Sequence, residues 1–145
     1  MTPKAIKTRE WEIHLMEMFD QWIGRRMEWG TIDCATLCCA SFDAQTGEDL
    51  TGELKGVFVY NNTSGALKTQ NKISVISYLK SRGVEEVPEG FHQRGDFLLF
   101  DTEDILLGCG ICDGTCAIII HEDIVSKIAL VLLPPIRAAY RIGHK

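Results

Sequence analysis

Basic charge is scarce in this chain. Of its 145 residues, 15 are Lys or Arg and 20 are Asp or Glu, so the formal net charge is −5. That balance creates no field that would draw the protein to nucleic acid or to an anionic lipid surface. The pair Arg25-Arg26 reads as a solvated helix end. Long apolar runs are missing as well, and none reaches the roughly 18 residues that a membrane-spanning helix needs. No apolar stretch stands behind Met1-Thr2-Pro3-Lys4, so a secretory signal is not expected. The expectation is a protein made and kept in the cytosol, or leaving it by a route other than secretion.

Histidine is rare too, with four residues in all: His14, His92, His121 and His144. Acid–base chemistry near neutral pH has few places to come from. What the chain does have is hydrophobic residues, at 46%, with 24% charged. This excludes a disordered chain and indicates one globular domain, long enough to bury a core without disulfides or metal. Six cysteines fall into two local groups, Cys34, Cys38, Cys39 and Cys109, Cys112, Cys116. Without a secretory signal they do not read as a disulfide framework. Cys38, Cys39 and Cys116 fit the role of small core residues.

The first half reads as helix. From Glu10 to Met27, Trp11, His14, Leu15, Met18, Phe19 and Trp22 recur at spacings of three and four, and Gly24 with Arg25-Arg26 marks the end. A second helix starts at Cys34 and stops near Thr46-Gly47. Signals are mixed from Glu48 to Ser64, Asn61 to Gly65 is a loop, and Ile73 to Leu79 forms a third helix. The second half reads as strands: Gly95 to Phe100, Ile105 to Cys112, Thr115 to Ile120, Lys127 to Leu133, and Ala138 to Ile142. Asp113-Gly114 is the hairpin turn between the second and third. Helices followed by a meander predict an α+β domain, with N-terminal helices packed on an antiparallel sheet of about five strands.

The chemically informative segment is Trp29-Gly30-Thr31-Ile32-Asp33-Cys34. Thr31 and Asp33 are helix-capping residue types, which puts Cys34 in the first turn of a helix apolar on nearly every face. Free N–H groups and the positive dipole end favour a thiolate there. The Cys34 N–H could also contribute to an oxyanion hole. The plain alternative is a buried helix cysteine kept for packing.

Asp33-Cys34-Ala35-Thr36-Leu37 at a helix start, followed some 60 positions later by Arg94-Gly95-Asp96-Phe97-Leu98-Leu99-Phe100, resembles the NlpC/p60 peptidases. These are papain-like cysteine enzymes that cut peptide bonds in bacterial cell walls. Closer still is the resemblance to short NlpC/p60-like proteins encoded among phage tail genes, through Leu107-Gly108-Cys109-Gly110-Ile111-Cys112-Asp113-Gly114 and Tyr140-Arg141-Ile142. The likeness covers Trp22 to Ile142. It implies a single papain-like, NlpC/p60-type domain over residues 1–145, with a helical extension at 1–21 and a core at 22–142.

The resemblance assigns the nucleophile to Cys34. The family's base is a histidine opening a strand as His-Val-Gly-Ile. Setting Gly110-Ile111 against Gly-Ile puts Gly108 at that position, and sliding by one puts Cys109 there. His121 follows Ile118-Ile119-Ile120, near the family's third, orienting residue, and is the substitute base if strand pairing brings it close. His14 lies in a helix, His92 in a loop and His144 in the tail.

Three readings follow. The first is a structural or assembly protein of a phage tail tip, with the peptidase fold retained as a binding scaffold. It would be made in the bacterial cytoplasm and carried in the virion among other tail proteins, with Phe58 and Tyr60 as candidate contact aromatics. The second is an active cysteine endopeptidase or amidase acting on peptidoglycan peptides, with Cys34 as nucleophile and His121 as base. The third is a zinc-stabilised binding module through Cys109, Cys112, Cys116 and His121. Against zinc, residues three apart on a strand point to opposite faces, and a domain of this length needs no metal, so no cofactor is expected.

Overall fold

The structure, a computed structural model, describes residues 4–28, 31–54, 75–101, 107–121, 124–129 and 136–143. Four helices are described, α1 Trp11–Trp22, α2 Cys34–Thr46, α3 Leu50–Glu53 and α4 Val75–Ser81. Six strands form one sheet, β1 Glu85–Val87, β2 Phe97–Asp101, β3 Leu107–Asp113, β4 Cys116–His121, β5 Ile124–Ala129 and β6 Ile136–Arg141. Their order across the sheet is β1-β6-β2-β3-β4-β5, and every neighbouring pair is antiparallel. No described helix is long and apolar enough to cross a membrane.

The α+β class and the antiparallel sheet are as expected, with one strand more. The extra strand is β1, whose Glu85-Glu86-Val87 carries no alternating pattern. It exists because β6 offers it a partner, with Glu85 opposite Arg141 and Val87 opposite Ala139. The hairpin turn at Asp113-Gly114 is also as expected, with Gly114 at φ 70°. The fourth expected strand begins earlier, at Ile124, and its expected end at 130–133 lies outside the described residues. So do Trp29-Gly30, Phe58, Tyr60, the Asn61 to Gly65 loop, Ile73 and His144.

Helix α1 buries Leu15, Met18 and Phe19, the three-and-four spacing that turns one stripe inward. It ends at Trp22, just before Gly24, the residue that with Arg25-Arg26 marks the expected end. There Gly24 takes φ 89° and its N–H donates to the Val125 carbonyl at 2.7 Å, while the Val125 N–H donates to Arg25 O at 2.9 Å. Arg26 forms a bridge to Ile124. The chain leaving α1 thus runs alongside β5 and gives up helical hydrogen bonds for sheet-like ones.

Helix α2 is the centre of the molecule. Its buried residues include Ala35, Leu37, Cys38, Cys39, Ser41, Phe42 and Gln45, so it is covered on nearly every side. It packs on α1, on α3 and on β3. Gly47 closes it in the left-handed region at φ 76°, its N–H donating to the Asp43 carbonyl at 2.8 Å.

The sheet has two apolar faces. Phe97, Cys109, Ile111, Ile118, Val125 and Tyr140 join the helices in the larger core cluster. Leu98, Phe100, Cys112, Ala117, Ile119 and Ala139 form a smaller one on the other face. This division follows the two-residue period of a strand. Leu15, Met18 and Phe19 lie in the larger cluster, so the helix read as an N-terminal extension contributes to the same core.

Candidate functional site

Asp33 and Thr36 determine where α2 begins and therefore where Cys34 stands. The Asp33 carboxylate accepts from the Thr36 N–H at 2.9 Å, and the Asp33 N–H donates to Thr36 Oγ1 at 2.8 Å. This reciprocal capping box satisfies donors that a helix start leaves free. Thr31, the other capping candidate, belongs to the preceding turn, where its N–H donates to Glu28 O at 3.0 Å. Cys34 is the first helical residue, partly exposed, while Cys38 one turn later is buried.

The thiol is not poised as a thiolate. The Cys34 pKa is pushed well above the ordinary cysteine value, first by its hydrogen bond with the Cys109 thiol, then by burial, and further by Cys109 and Asp33; the Cys109 backbone N–H opposes this. None of these causes is a cation, and the expected benefit of the helix N-terminus is outweighed. For Cys109 the bond from Cys34 lowers the pKa, but its own bond to Cys38 and its burial win, and the net shift is well upward. Cys38 is lowered by its bond with Cys109 and raised more by burial and by its thiol neighbours. The three thiols influence one another, and each is held neutral.

Strand β3 therefore presents a cysteine to Cys34. Cys109 and Ile111 occupy the α2 side of the sheet. Gly108 pairs with Phe100 and belongs to the alternate set, on the other side. Gly110 is held to glycine by its neighbour strand, because a Cβ there would stand 2.6 Å from Ile119 Cγ2 and 2.9 Å from the Ile118 carbonyl oxygen. Sequence reasoning missed Cys38 and Cys109 as partners of Cys34. The signal was present in the four-residue spacing of Cys34 and Cys38 and in the alternation that groups Cys109 with Ile111.

The histidines are placed elsewhere. The backbone of His121 closes β4 opposite Ile124. It shares alternate positions with Ala117 and Ile119, which pack on the face away from α2; its side chain lies outside the described residues. His14 is exposed on α1, on an open cleft with Glu17 and Asp43. His92 sits in the segment before β2.

The Gly95-Asp96 motif turns out to be a structural junction. Asp96 is fully buried and its carboxylate accepts from Arg141 Nε and Nη2, each at 2.9 Å, and from the Gln93 N–H at 2.8 Å. The Gly95 carbonyl accepts from Gln45 Nε2 at 2.9 Å. The Gly95 N–H donates to Cys112 O at 2.8 Å, and the Cys112 N–H donates to Asp96 O at 2.9 Å. One dipeptide thus joins α2, β2, β3 and β6.

Two of the candidate zinc ligands, Cys109 and Cys112, do not converge. Cys109 lies in the core cluster on the α2 side and Cys112 in the cluster on the opposite face, as alternation requires. The Cys112 thiol is instead directed at the Gly114 carbonyl, 3.4 Å away. Among the described residues no group of three or more His, Cys, Asp or Glu side chains is arranged to hold a metal ion.

No curated protein and no solved structure matches the chain. A family model does, over residues 6–142, which spans α1 through the last strand and nearly the whole sequence. The chain belongs to that family, described as a domain of unknown function, DUF6950.

Proposed function

We propose that this chain is a structural or assembly protein of a phage tail, at the tail tip, built on a papain-like, NlpC/p60-type scaffold that does not carry out peptidase chemistry. The observation that carries the reading is the pairing of Cys34 with Cys109. A cysteine hydrolase needs a thiolate and a base to take up and return a proton. A second buried thiol supplies neither, and a thiol held well above its ordinary pKa contributes almost no thiolate at neutral pH.

Support for the scaffold comes from the layout: a cysteine opening a buried helix, that helix packed on an antiparallel sheet, and a Gly-Asp-led strand beside it. In this reading the partners are other tail proteins, the location is the virion, and no cofactor takes part.

Two measurements test it. Purified protein incubated with cell-wall muropeptides is expected to release no new amine or cleaved peptide. Mass spectrometry of intact tails is expected to find the chain in them. Absence from assembled particles, with tails forming normally without the protein, would remove the assembly role. Turnover that disappears on Cys34→Ala would establish the competing reading of an active endopeptidase or amidase with His121 as base.

A further inference from the structure

Between α1 and the end of α2 lies an open cleft of about 630 Å³. Glu10, His14, Glu17 and Gln21 line it from the α1 side. Their spacing of four, three and four residues sets them in one stripe along the helix, and all four are exposed. Met18 and Ala44 add apolar surface. Thr8 lines the same cleft, and its Oγ1 is buried with no hydrogen-bond partner among the described residues.

Charge in the cleft is unbalanced. Glu10, Glu17 and Asp43 are set against one permanent cation, Arg9. Asp43 is committed to α3, accepting from the Leu50 N–H at 2.6 Å and from Thr51 Oγ1 at 2.6 Å. Glu12, between the two α1 acids in sequence, reaches Arg94 at 3.3 Å. Glu10 does not cap the helix it precedes, and among the described residues neither Glu10 nor Glu17 has an ion-pair partner. Two uncommitted carboxylates thus stand on one helix face, seven positions and therefore about 10 Å apart along the axis.

That separation selects the ligand. A single metal ion cannot span it, and among the described residues no three ligating side chains converge. Nucleic acid and anionic lipid are repelled by the same charges. In a polyproline II segment, residues three apart return to the same face after about 9 Å. Two lysines at that spacing reach both carboxylates, and their apolar stems can lie along Met18 and Ala44. The orphaned Thr8 hydroxyl is available to a main-chain group of the segment.

We propose that this cleft docks a basic segment of a partner protein, a Lys-x-x-Lys pattern in polyproline II conformation, with one ammonium on Glu10 and the other on Glu17. The proposal stands apart from the tail reading and from the chemistry of Cys34. Two exposed ion pairs make a weak, salt-sensitive complex.

The test is an NMR titration of the isotope-labelled full chain, at low ionic strength, with acetyl-Lys-Pro-Pro-Lys-amide. Saturable shifts are expected for amides within residues 8–21 and 43–47, and added salt should weaken the binding. Acetyl-Lys-Lys-Pro-Pro-amide, equal in charge but with adjacent lysines, should bind about threefold more weakly or worse. The double variant Glu10→Gln with Glu17→Gln, altered only at exposed positions, should lose about threefold or more in affinity. The proposal is overturned by an absence of saturable shifts, or by shifts centred elsewhere, as on the acidic Glu85-Glu86 rim. Equal binding of the adjacent-lysine peptide, or undiminished binding by the double variant, overturns it as well.

Discussion

Arg141, near the end of the last strand, holds the buried Asp96 carboxylate through two parallel hydrogen bonds, Nε to Oδ1 and Nη2 to Oδ2, both 2.9 Å. The same guanidinium donates to the Phe91 carbonyl at 2.7 Å. A planar fork on a carboxylate is a geometry that Lys cannot reproduce. Asp96→Ala leaves a cation without its partner, and breaking a buried pair in this way costs about 3–5 kcal/mol. The Arg141 side chain keeps 28% exposure, so the lower part of that range is expected. Urea denaturation of Asp96→Ala against the unaltered protein measures it, and Arg141→Lys is expected to be destabilised as well.

Gly95 is predicted to tolerate no side chain. Its φ is +93°, and a Cβ would stand 2.7 Å from Gln45 Oε1 and 2.9 Å from Trp11 Cζ3. Gly95→Ala therefore combines backbone strain with a clash between α1 and α2, for a loss of about 2 kcal/mol or more. Gln45→Ala, which removes the hydrogen bond to the Gly95 carbonyl, is expected to relieve part of the clash. The double variant should then lose less than the sum of the single losses, as a double-mutant cycle would show.

Alkaline pH should destabilise the fold. A thiol whose pKa is raised on folding keeps its proton in the native state after the unfolded chain has lost it. The native state then binds more protons, and stability falls as pH rises. The fall begins near the ordinary cysteine value of about 8.5 and continues through the folded values, pushed up to about 11 for Cys112 and about 12 for Cys39 by burial first of all. Melting temperature measured from pH 7 to 10 is expected to decline, and Cys34→Ser should flatten part of the decline.

Iodoacetamide offers a second reading of the same chemistry. Alkylation of Cys34 in the folded protein is expected to be slower at pH 7 than that of a free model thiol, because alkylation requires the thiolate. The rate should climb steadily with pH rather than level off near 8.5. A plateau at or below neutrality would show a thiolate already formed.

The start and stop of α2 were legible in the sequence, because Asp33 and Gly47 act through local backbone geometry, whereas Thr36 as the other half of the capping box was not read there. The hairpin between β3 and β4 was legible for the same reason, through Gly114. Strand β1 was not, since Glu85-Glu86-Val87 becomes a strand only through partners in β6, more than fifty positions away. The end of α1 was marked by Gly24, but the course of the chain beyond it was not legible, because the bonds that hold it come from Val125, a hundred positions on. At the candidate site, matching Gly110-Ile111 to a family pattern drew attention to Gly108. The face of the strand depends on packing, and packing selects Cys109.

The two rims of the sheet are guarded by different means. Along the start of β5, Gly24 and Arg25 already occupy the main-chain groups of Val125. At the far rim, β1 is three residues long and carries the exposed Glu85 and Glu86. A strand borrowed from another molecule meets hydrogen bonds already in use at the first rim and a short, negatively charged stretch at the second. Among the described residues, both rims thus carry features that oppose edge-to-edge pairing with a second copy.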